Sequence, residues 1–262
     1  QITPANTQLK IYLVDNASSE EATASGLAEM KLKWPDIIEI VRDESAFNYS
    51  HLNNQAAKIA QGAGCNWLFF VNNDIEFISD NSLAEFLNFA VATADIGATG
   101  CTLEFADGKI QHLFVAPGVK ILAAHPLKGK KLDPTNEWFK KPRIVAAVTG
   151  AALLVSNERF FQVGGFDTEL STLGQDVDLC LKLQKIGLEN WCLPSTRLIH
   201  HESVSRGGYI DPDQVQLVYE RWGEFLIDNP CFSPRFCRWS ESPAFSLGEP
   251  QYPWKMVLPP PR

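Results

Sequence analysis

The chain has 262 residues, 45% of them hydrophobic and 21% charged, the proportions of a globular protein with one sizeable core. Its formal net charge of −8 argues against a nucleic-acid surface, and no apolar run reaches the roughly 18 residues that a membrane-spanning helix needs. The six cysteines are scattered without a C-x-x-C pair, so they read as small core hydrophobes in a reducing compartment, not as a zinc site or a disulfide framework.

From the amino end, Lys10–Val14 reads as a short strand that stops in Asp15-Asn16-Ala17-Ser18-Ser19, and a polar stretch with helical spacing follows to about Lys33. Ile37–Val41 is a second strand. Ser50 is placed to cap a helix that runs to about Gln61 and closes at Gly62. Trp67–Val71 is too short for a stable helix and rich in aromatics; it reads as a buried strand of a parallel sheet, broken off by Asn72-Asn73-Asp74. Ligands of open α/β sheets bind at the carboxyl ends of the strands. A carboxylate fixed there suits a hard divalent cation that shares its coordination with a diphosphate. The triplet alone reads first as a turn, because Asn and Asp commonly end strands. A helix from about Ser82 carries Leu83, Phe86, Leu87, Ala90 and Val91 as one apolar stripe. Strand alternating with helix at this spacing predicts a parallel, doubly wound sheet for roughly the first hundred residues.

Ile96–Cys101 and Ile110–Val115 read as further strands. Residues 120–143 look like a loop in which Lys128, Lys130, Lys131, Lys140, Lys141 and Arg143 form a basic cluster: a solvated loop by default, or a flap over an anionic ligand. Val145–Val155 is a long β-rich run, and Ser156–Val163 a short helix stopped by Gly164-Gly165. Asp176 and Asp178 fall in the first turn of the next helix, where the macrodipole favours negative charge and where one of them can be the N-cap. Gly187 closes that helix. Strands at Glu189–Leu193 and Thr196–Ile199 lead into His200-His201; neighbours in extended chain point opposite ways, so at most one histidine is a metal ligand. Asp211-Pro212 is a cap and first-turn pair for a helix to about Asp228, with Val215, Val218, Trp222, Phe225 and Leu226 on its buried face. The remaining tail is rich in Pro and aromatics and lacks periodicity, so it is expected to wrap the domain or to link to something beyond it.

Eight ordered motifs between about residues 10 and 230 carry a resemblance. They are Val14-Asp15-Asn16 with Ser18; Phe47-Asn48-Tyr49-Ser50 with Leu52-Asn53-Asn54; Phe70 to Glu76; Asp107-Gly108 with Ile110-Gln111-His112; Val148-Thr149-Gly150-Ala151; Gly164-Gly165-Phe166-Asp167; Asp176 to Leu181; and His200-His201-Glu202-Ser203 with Ser205-Arg206-Gly207. In this order they resemble the family 2 glycosyltransferases, in particular the rhamnosyltransferase-like branch that builds bacterial surface polysaccharides.

The resemblance implies an α/β fold of the GT-A, Rossmann-like type, with a mixed, mostly parallel sheet flanked by helices, over residues 1–230, and a Pro- and aromatic-rich tail over 231–262. It implies an inverting transfer of a hexosyl or deoxyhexosyl group from a UDP-, dTDP- or GDP-linked donor to a glycan or polysaccharide hydroxyl, assisted by Mg²⁺ or Mn²⁺. By position, Asp176 corresponds to the catalytic base. Asp15 corresponds to the acid that reads the pyrimidine, with Asn16, Asn54, Asn72, Asn73 and Arg206 as further donor-binding residues. Asp74 corresponds to the last acid of the metal-binding D-x-D, and His200 to a metal-ligand histidine. These roles suit the chemistry: inversion needs a base within reach of an in-line hydroxyl, and a cation offsets the charge of the departing diphosphate. The expected location is the cytoplasm, extending at most to peripheral contact with the inner face of the membrane, and no nucleic-acid partner is expected.

Two departures stand out. The family's usual first strand, ending in Pro-x-x-Asn, has no counterpart before Lys10, which points to a piece of a longer chain or to an incomplete nucleotide site. Gln175 stands where many members carry Glu or Asn. The competing reading is a degenerate GT-A domain that binds nucleotide-sugar or glycan, or serves in assembly, without turnover. A nucleotidyltransferase is disfavoured by the lack of a Gly-rich basic phosphate loop near the amino end.

Overall fold

A computed structural model describes residues 7–133, 135–201, 210–227, 229, 231–242, 244–246, 248, 252 and 253. Arg206, expected to contact the diphosphate, lies outside the described residues.

The chain begins β1 (Ile11–Asn16), α1 (Glu21–Lys33), β2 (Ile38–Asp43), α2 (Tyr49–Gly62), β3 (Trp67–Val71), β4 (Ile75–Phe77), α3 (Ser82–Ala92) and β5 (Ile96–Glu104). It continues through β6 (Ile110–His112), β7 (Ala116–Pro117), β8 (Ala123–Ala124), β9 (Arg143–Val145), β10 (Ala152–Ser156), α4 (Asn157–Gln162), α5 (Gln175–Lys185), β11 (Glu189–His200) and α6 (Pro212–Ile227). Strands β1 and β2 form a parallel pair of their own. The main sheet has seven strands, ordered β3-β10-β5-β11-β4, with β6 on β5 and β9 on β11.

A mostly parallel sheet is therefore corrected in its pairings. β1–β2 and β5–β11 are parallel. β10, arriving late in the chain, inserts antiparallel between β3 and β5, and β4 joins β11 antiparallel. The long apolar run from Val145 to Val155 is not one strand either: the chain turns at Thr149-Gly150 and pairs again only from Ala152.

Alternation across the pleat builds two cores, one on each face of the sheet. Leu68 and Phe70 of β3, with Leu153 and Val155 of β10, join Phe160, Phe166, Val177, Leu181 and Val218 under α2, α4, α5 and α6. The intervening Trp67, Phe69, Ala152 and Leu154 pack with Phe86 and Ala90 of α3. Of the expected stripe on α3, Phe86 and Ala90 are buried, whereas Val91 is 68% exposed.

Local chemistry sets the helix starts. The α2 cap is Asn48, whose side chain accepts from His51 N–H at 2.9 Å; the expected cap, Ser50, is buried and donates to Leu170 O at 2.6 Å. At α5 the cap is Gly174, with φ 77°, where a Cβ would meet Val218 and Leu122 side chains at 2.9 and 3.2 Å. Neither aspartate of α5 is needed as a cap, which leaves both side chains for other work. The two short strands expected at Glu189–Leu193 and Thr196–Ile199 are one strand, β11, with a register shift between Leu193 and Arg197.

The described part of the tail packs on the domain. Phe232 and Phe236 cover Ala116, Val119 and Ala124, Lys120 N–H donates to Arg238 O at 2.6 Å, and Leu127 N–H donates to Glu241 O at 3.1 Å. No described helix is long and apolar enough to cross a membrane.

Candidate active site

Several of the candidate residues gather at the carboxyl end of β3. Past Val71 the chain turns through Asn72-Asn73-Asp74 into β4, which lies against the end of β11 with Ile75 opposite His200. That pairing decides between the two histidines. His200 Nε2 stands 3.0 Å from Asp74 Oδ1, with both side chains largely buried. His201 faces outward to Glu76 at 2.9 Å, while its N–H donates to Asp74 O at 2.9 Å and fixes the turn.

Gln111 of β6 supports His200. Its Oε1 lies 2.6 Å from His200 Nδ1, and its Nε2 donates to His200 O at 3.3 Å. The next residue, His112, projects to the other face of the strand and is 1% exposed. His112 Nδ1 lies 2.8 Å from His125 Nδ1, and Thr149 N–H points to its Nε2 at 3.5 Å. Burial first, then the nearby His125 and His200, push the His112 imidazole well below its usual pKa, so it stays neutral.

The turn before β10 brings in the second carboxylate. Asn72 N–H donates to Ala151 O at 3.0 Å, and Val71 pairs with Ala152, so the 149–151 turn lies beside the Asp74 turn. Gly150 N–H donates to Asp176 Oδ2 at 2.9 Å, and Tyr49 Oη donates to Gly150 O at 2.8 Å. A Cβ at residue 150 would fall 2.8 Å from Tyr49 Oη, so any larger residue there would displace the phenol from this contact. Asp176 thus sits at the same end of the sheet as Asp74 and His200, half-buried and rigidly aimed.

A separate polar cluster caps β1 and β2. Asp15, 9% exposed, accepts from Ser18 N–H at 3.1 Å and Arg42 Nη1 at 2.5 Å, and hydrogen bonds from these two residues hold its carboxyl below the usual range. Asn16 Nδ2 donates to Asp43 O and Ser45 O at 3.2 and 2.8 Å. Asp43 accepts from Ser45 and faces His51 Nε2 at 3.1 Å; its pKa is lowered to about 2, chiefly by Ser45 and then by His51. Asn54 stands apart from both groups: it donates to Phe166 O at 2.7 Å and accepts from Phe166 N–H at 3.0 Å, clamping α2 to the 164–167 loop.

These elements can be set against known proteins. No protein-family profile matches the chain. O-antigen biosynthesis protein RfbC of Myxococcus xanthus is 33% identical over 231 residues, which are 86% of this chain and 17% of that protein. The N-acetylglucosaminyl-diphospho-decaprenol L-rhamnosyltransferase of Mycobacterium tuberculosis is 24% identical over 216 residues, 76% of this chain and 68% of that enzyme. Among solved structures, GalNAc-T7 with UDP, GalNAc and Mn²⁺ superposes with a TM-score of 0.64 at 18% identity, over 84% of this chain and 43% of that one. The chain is similar to the rhamnosyltransferase-like glycosyltransferases of family 2. Its fold is GT-A. The matched part of this chain spans only 17% of the Myxococcus relative's length.

Within this GT-A fold, the sequence alone assigned no role to Gln111, His112, Tyr49, Arg42 or Asp43. The first three lie inside the quoted motifs, and alternation along β6 was the available signal that Gln111 and His112 serve opposite faces. Arg42 and Asp43 directly follow the expected strand Ile37–Val41, with no motif around them. Among the described residues no three His, Cys, Asp or Glu side chains converge as a closed metal site. Asp74 with His200 is instead an open, two-residue arrangement, of the kind that fits a hard cation completing its shell with diphosphate oxygens.

Proposed function

We propose that the domain transfers a hexosyl or deoxyhexosyl group, with inversion, from a nucleotide-diphosphate donor to a hydroxyl of a glycan or polysaccharide. The observation that carries this reading is the convergence of Asp74 and His200, 126 positions apart in the chain, at 3.0 Å beside the turn that holds Asp176. Relatives named for O-antigen biosynthesis and for rhamnosyl transfer, and a structural neighbour described with UDP and Mn²⁺, support it.

Asp74 and His200 would hold Mg²⁺ or Mn²⁺, which when bound offsets the negative charge that develops on the departing diphosphate. Asp176 is the general base. Its Oδ2 is engaged by Gly150 N–H and its Oδ1 by Val177 N–H at 2.8 Å, and each oxygen keeps a lone pair for the proton of an acceptor hydroxyl. The protein's share of the rate is to align that hydroxyl with the anomeric carbon and to keep the carboxylate from rotating away. Asp15 and Asn16, on the polar cluster at the ends of β1 and β2, would meet the base of the nucleotide, and Asn72, Asn73 and Arg206 its phosphates.

The test is release of nucleoside diphosphate from UDP-, dTDP- and GDP-sugars offered with Mn²⁺ and lipid-linked or free glycan acceptors. The proposal expects turnover with one donor class and its loss in Asp176→Asn. Full turnover by that variant removes Asp176 as the base.

A further inference from the structure

We infer that Gln111 is a positioning residue for His200, locking the imidazole in the tautomer that turns a bare Nε2 towards Asp74. The inference deepens the reading of Asp74 and His200 as the cation-holding pair and rests on it.

The argument follows from hydrogen-bond inventory. The carbonyl oxygen of His200 can only accept, so the group of Gln111 facing it at 3.3 Å is the amide NH₂. The other branch of the carboxamide is its oxygen, which lies 2.6 Å from His200 Nδ1. Flipping the amide would set its oxygen against the His200 carbonyl oxygen, two acceptors with no hydrogen between them, so the carbonyl contact fixes the amide's orientation. An amide oxygen accepts, so Nδ1 carries the hydrogen, and in the neutral ring Nε2 then has only a lone pair. That lone pair points at a carboxylate oxygen 3.0 Å away. Two acceptors face each other at this distance when a positive species joins them: a divalent cation bound by both, or a second proton on the ring.

The support is rigid. Gln111 is 6% exposed and sits on β6, which pairs with β5 at Leu103 and Glu104. The other edge of β6 is tied by Ile110 N–H to Lys130 O at 2.8 Å and by Gly129 N–H to Ile110 O at 2.7 Å. The basic loop therefore serves as a brace for the strand that carries Gln111. Partners that fix a ligand histidine's ring in this way commonly govern metal affinity by about 10- to 100-fold.

The experiment uses the whole chain and two variants. Gln111→Leu removes both hydrogen bonds, whereas Gln111→Glu keeps an oxygen acceptor within reach of Nδ1. Mn²⁺ affinity is measured by calorimetry in the presence of the nucleoside diphosphate that binds, alongside thermal melting. Long-range ¹H–¹⁵N NMR of His200 in the Mg²⁺–nucleotide complex reads the tautomer. The expected result is Mn²⁺ affinity weakened about 10- to 100-fold in Gln111→Leu and restored in Gln111→Glu, with the Nδ1–H form in the parent chain. Unchanged Mn²⁺ affinity in Gln111→Leu, equal loss in both variants together with a lowered melting temperature, or an Nε2–H ring overturns the role of Gln111 while leaving the cation pair standing. A parent chain that binds no Mn²⁺ with any nucleoside diphosphate overturns the pair and this role with it.

Discussion

Asp176 and Asp178 stand two residues apart in the first turn of α5 and bind on opposite sides of the helix. Asp176 is half-buried and holds the Gly150 N–H at 2.9 Å. Asp178 is fully buried, with Lys182 Nζ at 2.6 Å, Trp222 Nε1 at 2.9 Å and Arg221 Nη1 at 3.2 Å. Helix geometry separates positions i and i+2 by about 200°, so one aspartate faces the site and the other faces α6.

This division predicts opposite phenotypes. Asp176→Asn should lower transfer by about 10²- to 10⁴-fold, the usual share of a general base, with little change in melting temperature. Asp178→Ala leaves Lys182 without its counter-charge and Trp222 Nε1 without its acceptor, while Arg221 keeps Asp167 at 2.6 Å and Glu169 at 3.2 Å, and it should cost about 3 kcal/mol of stability, read by denaturant unfolding. A stable Asp178→Ala protein would show that the cluster does not hold α5 to α6.

A second prediction concerns acid. His112 is buried neutral, with a folded pKa well below 6.5, so the unfolded chain binds a proton there that the folded one does not. Stability from this group is present above about pH 6.5 and declines as pH falls below it. Asp43 has the depressed pKa usual for a hydrogen-bonded carboxylate: its contribution is present above the unfolded value of 3.8 and is lost as pH falls through about 2. Melting curves from pH 8 downward should therefore fall in two stages. The upper stage should shrink in His112→Gln, and the lower one in Asp43→Asn.

The tail provides a third. Arg238 is 2% exposed and donates from Nη1 to Gly118 O and Leu226 O, both at 3.0 Å, and from Nη2 to Ile227 O at 2.9 Å. It caps the last carbonyls of α6, where a cation is favoured, between the rings of Phe232 and Tyr252. Gly118, with φ 76°, comes so near Leu226 O that a Cβ there would lie 2.4 Å away. Arg238→Met should cost about 1–3 kcal/mol for each carbonyl left unmet. It should also loosen the 116–127 segment, which carries His125, detected as faster amide exchange there.

How much of this could be read from the chain depends on the kind of signal each element carries. β3 and α6 were legible because aromatics bounded by Asn-Asn-Asp, and a periodic stripe opened by Asp-Pro, are strong local patterns. The antiparallel insertion of β10 was not, because a strand buried on both faces has the same apolar run in either direction. The three-residue β4 was hidden for a different reason: it exists through its partner, pairing Ile75 with His200. Asp74, Asp176 and His200 were found through ordered motifs, and the structure brings Asp74 and His200 into contact with Asp176 beside the neighbouring turn. Gln111 escaped notice because its task, holding another side chain, appears only when β6 and β11 are seen side by side.

The most direct measurement of the central claim is calorimetric titration of UDP, dTDP and GDP into the chain with Mn²⁺, with a chelator, and with Asp74→Ala in place of the parent. The account predicts that one nucleotide binds with Mn²⁺, and that the chelator and the substitution each abolish or sharply weaken that binding. Equal binding with and without the metal, or no binding of any of the three nucleotides, would contradict a cation held by Asp74 and His200 and favour a domain of this fold that does not turn over a sugar donor.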